Sequence, residues 1–174
     1  MKALRTTTLI ALVLGLFFTS QATAQSKKIR INNAKGESVG TATISQIKNN
    51  GGVSIKLDLK NLSPGTHGIH FHQIAKCEAP GFTTAGGHFN PTGKTHGLHN
   101  PSGPHAGDMM NFDVGAKGTA KVTLTNDRVS LGSDANSLYS NGGTALVVHE
   151  KADDYMTDPS GNSGARIACG LIVK

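Results

Sequence analysis

Short stretches in which apolar and polar residues alternate are the feature that most restricts how this chain can fold. Alternation with a period of two places one set of side chains on each face of an extended strand, which indicates half-buried β-strands. The segments with this pattern, or with a short apolar run, are Ile29–Asn32, Val39–Ile44, Val53–Leu59, Gly68–His72, Ala120–Thr125, Ala145–Val148 and Arg166–Val173. Short strands at this spacing, separated by turn residues, predict an antiparallel sandwich or barrel.

Composition favours the same all-β class. Glycine contributes 22 of the 174 residues, well above its usual share of about 7%. Many turns are therefore expected, and a helical bundle is disfavoured. Because Trp is absent and aromatic residues make up only 5% of the chain, the core must be aliphatic and β-branched. We find no clear helical pattern, internal repeat or domain linker, and the length predicts one domain.

Two long segments without a strand pattern interrupt the alternation. They span Gln73–Asp108, which is rich in Gly, Pro, His and Asn, and Glu150–Ala165. Loops longer than about 15 residues inside a compact domain are usually functional. The chemistry of this protein is therefore expected on these two loops.

The N-terminus has the pattern of an export signal. Met1–Arg5 carries two positive charges, Leu9–Phe18 is mostly apolar, and Ala22 and Ala24 stand in the small-residue register of a cleavage site. The apolar run of about ten residues is shorter than the roughly 20 that a membrane span requires, so an uncleaved anchor is disfavoured. No cysteine lies near the cleavage site, which argues against a lipoprotein.

The sequence thus predicts a signal peptide over residues 1–24 and a mature domain over residues 25–174, with no membrane anchor. The protein is expected in the periplasm or secreted, since the same signal serves both. Export leads to an oxidising compartment, where Cys77 and Cys169 are expected to form one disulfide. The alternative is two free buried thiols.

The formal net charge of +6 is scattered along the chain, with no block of five or more basic residues. A nucleic-acid-binding protein more often shows a basic stripe, so no nucleic-acid partner is expected. A net positive charge remains compatible with a small anionic substrate.

Histidines carry most of the functional information. The chain has 8 histidines, all in the predicted mature domain. His70 and His72 lie two residues apart in a predicted strand, so they project from the same face, about 7 Å apart. Both imidazoles can then reach one metal ion.

The first long loop contains a second set of metal-binding side chains. His88, His96, His105 and Asp108 supply three imidazoles and one carboxylate, which is a complete four-ligand set for zinc. His149 follows an apolar strand and can point from it into a site. A set made only of imidazoles suits copper, and copper(II) binds most N/O sites more tightly than zinc does.

Five motifs together resemble the copper–zinc superoxide dismutase family in order, spacing and identity. They are Gly68–His72, Gly87–Pro91, Gly107–Asp108, Leu146–Asp154 and Gly161–Gly170. The resemblance covers essentially the whole predicted mature domain. It implies an all-β, eight-stranded antiparallel Greek-key β-barrel (an immunoglobulin-like sandwich) with two long functional loops. It also implies conversion of two superoxide anions and two protons to oxygen and hydrogen peroxide, as antioxidant defence.

The resemblance assigns roles residue by residue. It implies that copper is bound by His70, His72, His88 and His149, and zinc by His88, His96, His105 and Asp108. Asp153 matches an outer carboxylate that accepts hydrogen bonds from one histidine of each metal. Arg166 matches the cation beside the copper, His88 the bridging catalytic imidazole, and Cys77–Cys169 the disulfide that ties the first loop to the barrel.

A few positions depart from the family pattern. Cys77 follows His72 closely, which resembles exported bacterial members, and Ser160 stands where many members carry Thr at the channel rim. His99 matches no ligand and is expected to be a solvated loop residue. His67 is expected to form hydrogen bonds at a strand end, without a metal role. No expected ligand is missing.

Two other functions agree with parts of the pattern. An exported copper or zinc carrier would need His70, His72 and His149 but not Arg166, and superoxide turnover distinguishes it from an enzyme. A zinc hydrolase would need an open zinc position and a nearby base. Here the zinc set is complete and no His-Glu-x-x-His motif is present. The sequence leaves the oligomeric state open between monomer and homodimer.

Overall fold

The structure is a computed structural model that describes residues 25–48 and 51–174. Over these residues the chain forms nine strand segments and two short 3₁₀ turns, at Thr83–Ala85 and Ser140–Gly142. The strands are β1 (Ser26–Asn33), β2 (Ser38–Gln46), β3 (Val53–Leu59), β4 (Gly65–His67), β5 (Ile69–His72), β6 (Phe112–Val114), β7 (Ala120–Asn126), β8 (Thr144–His149) and β9 (Arg166–Ile172). The predicted signal peptide lies outside the described residues.

The strands form a curled antiparallel barrel. Seven of the described strands form one sheet in the order β5-β8-β9-β1-β2-β3-β7, and β4 pairs with β6 in a second. β4 and β5 are two parts of one strand interrupted at Gly68, and β6 contacts β7. The barrel therefore has eight strands when β4 and β5 are counted together, and the Greek-key fold class is confirmed.

The strand predictions hold where the alternation is long enough to detect. All seven predicted segments correspond to β1, β2, β3, β5, β7, β8 and β9, and the bounds of β3 agree fully. β4 and β6 were not predicted as strands. Each has 3 residues, which is too short to show a period of two, and each is defined by its partner in the barrel.

The core fills the barrel with aliphatic side chains. In β3 the inward residues Val53, Ile55 and Leu57 are buried and alternate with outward residues such as Lys56. Phe71 and Ile31, from β5 and β1, are fully buried within the same cluster. This rigid wall carries the two predicted loops, which are irregular apart from the first 3₁₀ turn and an isolated bridge between His72 and His88.

The first loop packs against the outer face of the barrel. Phe82 and Ala85 cover Ala145 and Val147 of β8 in a small second apolar cluster. The predicted disulfide is present: Cys77 is bonded to Cys169 of β9, with a Cα–Cα distance of 5.7 Å. Separately, none of the described helical segments has the length and hydropathy to cross a bilayer.

Candidate metal centre

Two neighbouring strands supply three of the histidines. β5 pairs with β8 so that His70 lies opposite Val147 and His72 opposite Ala145. His149 is the last residue of β8, where a register shift after Val148 places it opposite Arg166. The imidazole centroids of His70 and His149 are 4.8 Å apart. All three histidines are buried.

The first loop returns to β5 and brings its own ligands there. Phe89 donates its N–H to the Phe71 carbonyl at 2.8 Å, and Phe71 donates to the Gly107 carbonyl at 3.0 Å. Gly107 must be glycine, because a Cβ atom there would collide with the Phe71 carbonyl oxygen. These backbone contacts place the His88 ring against His70, with centroids 4.0 Å apart, and Asp108 beside His88.

The first cluster contains the imidazoles of His70, His72, His88 and His149, whose nitrogens all lie within 4.8 Å of one another. In three of these rings, one nitrogen forms a hydrogen bond to a residue outside the cluster. His70 Nε2 lies 2.7 Å from Asp153 Oδ2, His72 Nδ1 2.9 Å from the Gly86 carbonyl, and His149 Nδ1 3.0 Å from Ser163 Oγ. The second nitrogen of each ring therefore points inward as a free lone pair.

The second cluster contains His88, His96, His105 and Asp108, also within 4.8 Å of one another and all buried. The Nδ1 atoms of His88, His96 and His105 lie 2.8, 3.1 and 3.3 Å from Asp108 Oδ1. Asp108 Oδ2 accepts the backbone N–H of His105 at 3.0 Å, which fixes the carboxylate. Three imidazoles and one oxygen converging on a point make a suitable tetrahedral zinc set.

Within the described residues, His88 is the ligand that both clusters share. Its Nδ1 belongs to the second cluster, whereas its Nε2 is buried and has no hydrogen-bond partner among these residues. His70 Nδ1 is also buried and unpartnered. Leaving buried polar atoms unpaired is costly, so two such nitrogens in one cluster indicate a metal ion that would satisfy them.

Asp153 connects the two clusters from outside. Its carboxylate accepts from His70 Nε2 at 2.7 Å and from His96 Nε2 at 3.0 Å. The side-chain amide of Asn111 holds the Asp153 backbone on both sides, since it accepts from the Asp153 N–H and donates to the Asp153 carbonyl, each at 2.9 Å. Tyr155 Oη in turn accepts the Asn111 N–H at 2.8 Å.

Gly161 closes the space behind Asp153. Its φ of +62° is in the left-handed region, and a Cβ atom there would collide with the Asp153 carboxylate and crowd the His96 ring. The second loop can therefore lie directly over the two clusters only with glycine at this position.

The first cluster is held in its neutral form. Burial lowers the pKa of His88 to about 3 and that of His149 to about 2, with further lowering from neighbouring imidazoles. Burial also lowers the pKa of His70 and, more strongly, that of His72. Neutral imidazoles are the form that binds metals, so the free protein already presents its lone pairs.

The second cluster has the opposite electrostatics. Burial alone would lower the pKa of His96, but hydrogen bonds to Asp108 and Asp153 outweigh it and raise the pKa to about 9. Burial would raise the pKa of Asp108, yet hydrogen bonds with His105, His88 and His96 hold it far below its usual range. A dication in place of the His96 proton would balance the charges of the two carboxylates, Asp108 and Asp153.

An opening of about 420 Å³ leads to the clusters and is lined by His88, His149, Arg166 and Ser160, among others. Arg166 donates from Nη1 to the Phe82 carbonyl and from Nη2 to the Gly86 carbonyl, both at 2.8 Å. Burial lowers the pKa of Arg166, but a guanidinium remains cationic at neutral pH. The opening thus presents a fixed positive charge beside the first cluster.

The remaining histidines lie outside both clusters. His67 is buried, and its two ring nitrogens lie 2.8 Å from the carbonyl oxygens of His149 and Ser63, in keeping with a hydrogen-bonding role. His99 is exposed and packs against Tyr155, with ring centroids 5.1 Å apart.

Sequence reasoning missed the residues that hold the cluster side chains and Asp153 in place. Asn111, Tyr155 and Ser163 belong to this group, and each is a common polar residue in a loop. No sequence signal would have selected them, because their partners are 14 to 44 positions away in the chain.

Comparisons with known proteins agree with this geometry. The family model described as copper/zinc superoxide dismutase matches residues 38–172. Superoxide dismutase [Cu-Zn] 1 of Aquifex aeolicus (strain VF5) is 48% identical over 164 residues, which cover 93% of this chain and 96% of that protein.

Solved structures have the same fold. A SOD-like protein from Bacillus subtilis superimposes with a TM-score of 0.80 at 40% identity, covering 84% of this chain and 97% of that one. The Cu/Zn superoxide dismutase of Brucella abortus gives a TM-score of 0.70 at 30% identity, covering 85% of this chain and 99% of that one.

Proposed function

Because this chain belongs to the copper/zinc superoxide dismutase family, we propose that its first cluster binds copper and its second binds zinc. The enzyme converts two superoxide anions and two protons to oxygen and hydrogen peroxide. The observation that carries the ligand assignment is the pair of buried, unpartnered nitrogens, His70 Nδ1 and His88 Nε2, in the first cluster. When bound, copper supplies the one-electron redox change, and zinc supports the shared imidazole, since zinc has no accessible second oxidation state.

In this proposal the copper ligands are His70, His72, His88 and His149, and the zinc ligands are His88, His96, His105 and Asp108. The all-imidazole set suits copper, and the carboxylate-containing set suits zinc. Asp153 holds His70 and His96 in the tautomers that leave their Nδ1 atoms free for metal.

Arg166 binds the substrate. Superoxide is a small monoanion, and the guanidinium is held at the opening by two backbone carbonyls. Its cross-strand neighbour is the copper ligand His149. The fixed cation therefore orients the anion beside that ligand before electron transfer, and its field attracts the anion from solution.

His88 is the proposed proton donor. Reduction of superoxide to peroxide consumes protons, and His88 lines the opening, with its Nε2 unpartnered among the described residues. A proton taken from solvent by His88 Nε2, when that atom is not bound to copper, would pass to the reduced substrate, while the second cluster would keep the ring in place through Nδ1.

His149→Ala tests this assignment. The variant should lose copper affinity and nearly all superoxide turnover while keeping zinc, because His149 belongs only to the first cluster. The measurement is metal content together with turnover of fully loaded protein. His99→Ala is the matched control and should retain both metals and full activity. A His149→Ala protein that dismutates superoxide at a near wild-type rate would contradict the assignment, and a wild type that binds both metals without turnover would indicate a carrier.

We also propose that residues 1–24 are a cleaved signal peptide and that the mature domain, residues 25–174, acts in the periplasm or outside the cell. The charged start, apolar run and small-residue register support this. The disulfide agrees with an oxidising compartment. Mass spectrometry of the exported protein should show Gln25 as its first residue, whereas an intact Met1 would contradict cleavage.

A further inference from the structure

A second groove lies away from the metal centre, where the first loop meets β1. It has a volume of about 500 Å³ and shares no lining residue with the opening over the metal clusters. Its lining includes Lys27, Lys28, Arg30 and Asn32 of β1, Cys77, Ala79 and Phe82 of the loop, and Cys169, Gly170 and Leu171 of β9.

The β1 wall of the groove is cationic. In β1 the buried Ile29 and Ile31 alternate with exposed Lys28 and Arg30, which therefore project outward two residues apart, about 6.8 Å along the strand. Neither cation forms an ion pair with a described residue, and the lining contains no carboxylate. The nearby carboxylate of Glu37 is bonded to the side-chain amide of Asn33 at 2.9 Å.

The opposite wall is apolar and rigid. Phe82 is 2% exposed and packs in the small cluster under the loop, which the disulfide fixes to β9. Leu171 is 41% exposed at the groove edge. Asn32 pairs with Cys169, so continuation of this antiparallel register places Leu171 across from Arg30.

We propose that this groove binds an extended acidic segment of a partner protein. In an extended peptide alternate side chains point to opposite sides, with the same two-residue period as β1. Carboxylates on one side would meet Lys28 and Arg30, while apolar side chains on the other would contact Ala79 and Cys77 of the loop and the exposed Leu171. A charge-complementary wall opposite an apolar wall selects this alternating pattern over a uniformly acidic one.

Fluorescence anisotropy of the metal-loaded enzyme with a labelled peptide, Glu-Val-Glu-Phe-Glu-Gly, tests the proposal. Saturable binding is expected at low ionic strength, and it should weaken with added salt. The double variant Lys28→Gln/Arg30→Gln should bind at least about 10-fold more weakly, because it removes both cations that face the peptide carboxylates.

The matched control is Lys56→Gln/Lys117→Gln, which removes the same charge outside the groove and should change affinity less than about threefold, as expected for distant screened charges. A second probe has the same composition with its three Glu residues placed together, and should bind about 10-fold more weakly. The proposal is overturned by no saturable binding, by equal losses in the two double variants, or by equal affinity for the two peptides. Superoxide turnover should be unchanged in both double variants.

Discussion

In the first cluster, His70, His72 and His149 are each held by one ring nitrogen and offer the other towards the proposed copper ion. This division depends on partners of three different kinds: the carboxylate of Asp153, the carbonyl of Gly86 and the hydroxyl of Ser163. Because the rings are oriented before metal binding, the metal does not have to organise the site.

At residue scale, Arg166 is the residue whose removal should slow substrate capture most directly. Loss of a hydrogen bond to a charged group costs roughly 1.5–3 kcal/mol, which predicts a decrease in kcat/KM of about 10- to 100-fold for Arg166→Ala. Arg166→Glu should be slower still because it repels superoxide. Stopped-flow kinetics on fully metallated protein measure both.

Two controls separate docking from a structural effect of Arg166. Metal content should be unchanged, and the decrease of kcat/KM with ionic strength should be smaller in Arg166→Ala than in the wild type, since steering is screened by salt. Lys151→Ala removes an exposed cation of the loop that precedes Arg166 and should have little effect. Equal kcat/KM for the wild type and both Arg166 variants would refute the docking role.

Asn111 holds Asp153, which is bonded to His96 of the proposed zinc site. Residues that orient metal ligands typically contribute 10- to 100-fold in metal affinity, so Asn111→Ala should weaken zinc binding by about 10-fold. Competition with a zinc chelator measures this. In an Asp153→Ala background, Asn111→Ala should add little further loss, because it acts through Asp153. Asn136→Ala, in a distant loop, is the control and should leave zinc affinity unchanged. Fully additive losses of zinc affinity in the double variant would contradict the action of Asn111 through Asp153.

The residues of the two clusters could be predicted from the sequence, whereas the residues that hold them in place could not. His70 and His72 are marked by strand spacing, and His88, His96, His105 and Asp108 by their concentration in one loop. Asn111 supports Asp153 through two backbone groups 42 positions away, and such a contact is determined by the folded path of the loops.

At the scale of elements, the first loop connects the disulfide to the metal centre. Gly86, in this loop, provides the carbonyl that accepts from both His72 Nδ1 and Arg166 Nη2. The Cys77–Cys169 bond fixes the same loop to β9. The loop therefore determines the positions of His72, a proposed copper ligand, and Arg166, the proposed substrate-binding cation, together.

Reduction of the disulfide should lower both stability and activity while sparing zinc. A closed loop of this length contributes up to about 4–5 kcal/mol in the chain-entropy model. Calorimetry should show a lower Tm, and kcat/KM should fall because Gly86 is no longer fixed. Zinc should be retained, since the side chains of its proposed ligands form no hydrogen bond with residues 77–86. The variant Cys77→Ser/Cys169→Ser should have the Tm and kcat/KM of the reduced protein and should not respond to reductant. An unchanged Tm after full reduction would contradict this role of the disulfide.

The long strands were predictable because β3 and its neighbours alternate over several residues. The short strands β4 and β6 depend on each other for their definition, so no local pattern reveals them. Irregular loops such as 73–111 are likewise shaped by tertiary backbone contacts, as in the bonds of Phe71 with Phe89 and Gly107.

At the scale of the whole molecule, the barrel brings together side chains from two strands and two loops that are far apart in sequence. His70 and His149 come from paired strands, and the loop ligands are tied to the same wall through Phe71. A rigid β-framework with irregular loops at one side is a common way to hold a reactive site in place. The central claim is that this arrangement holds one copper and one zinc ion on either side of His88.

Anomalous diffraction from crystals of the metal-loaded protein, recorded at the copper and zinc absorption edges, tests this claim most directly. We expect one copper ion, bound by His70 Nδ1, His72 Nε2, His88 Nε2 and His149 Nε2. We also expect one zinc ion, bound by the Nδ1 atoms of His88, His96 and His105 and by Asp108. A single metal position, or two positions that do not share His88, would contradict it.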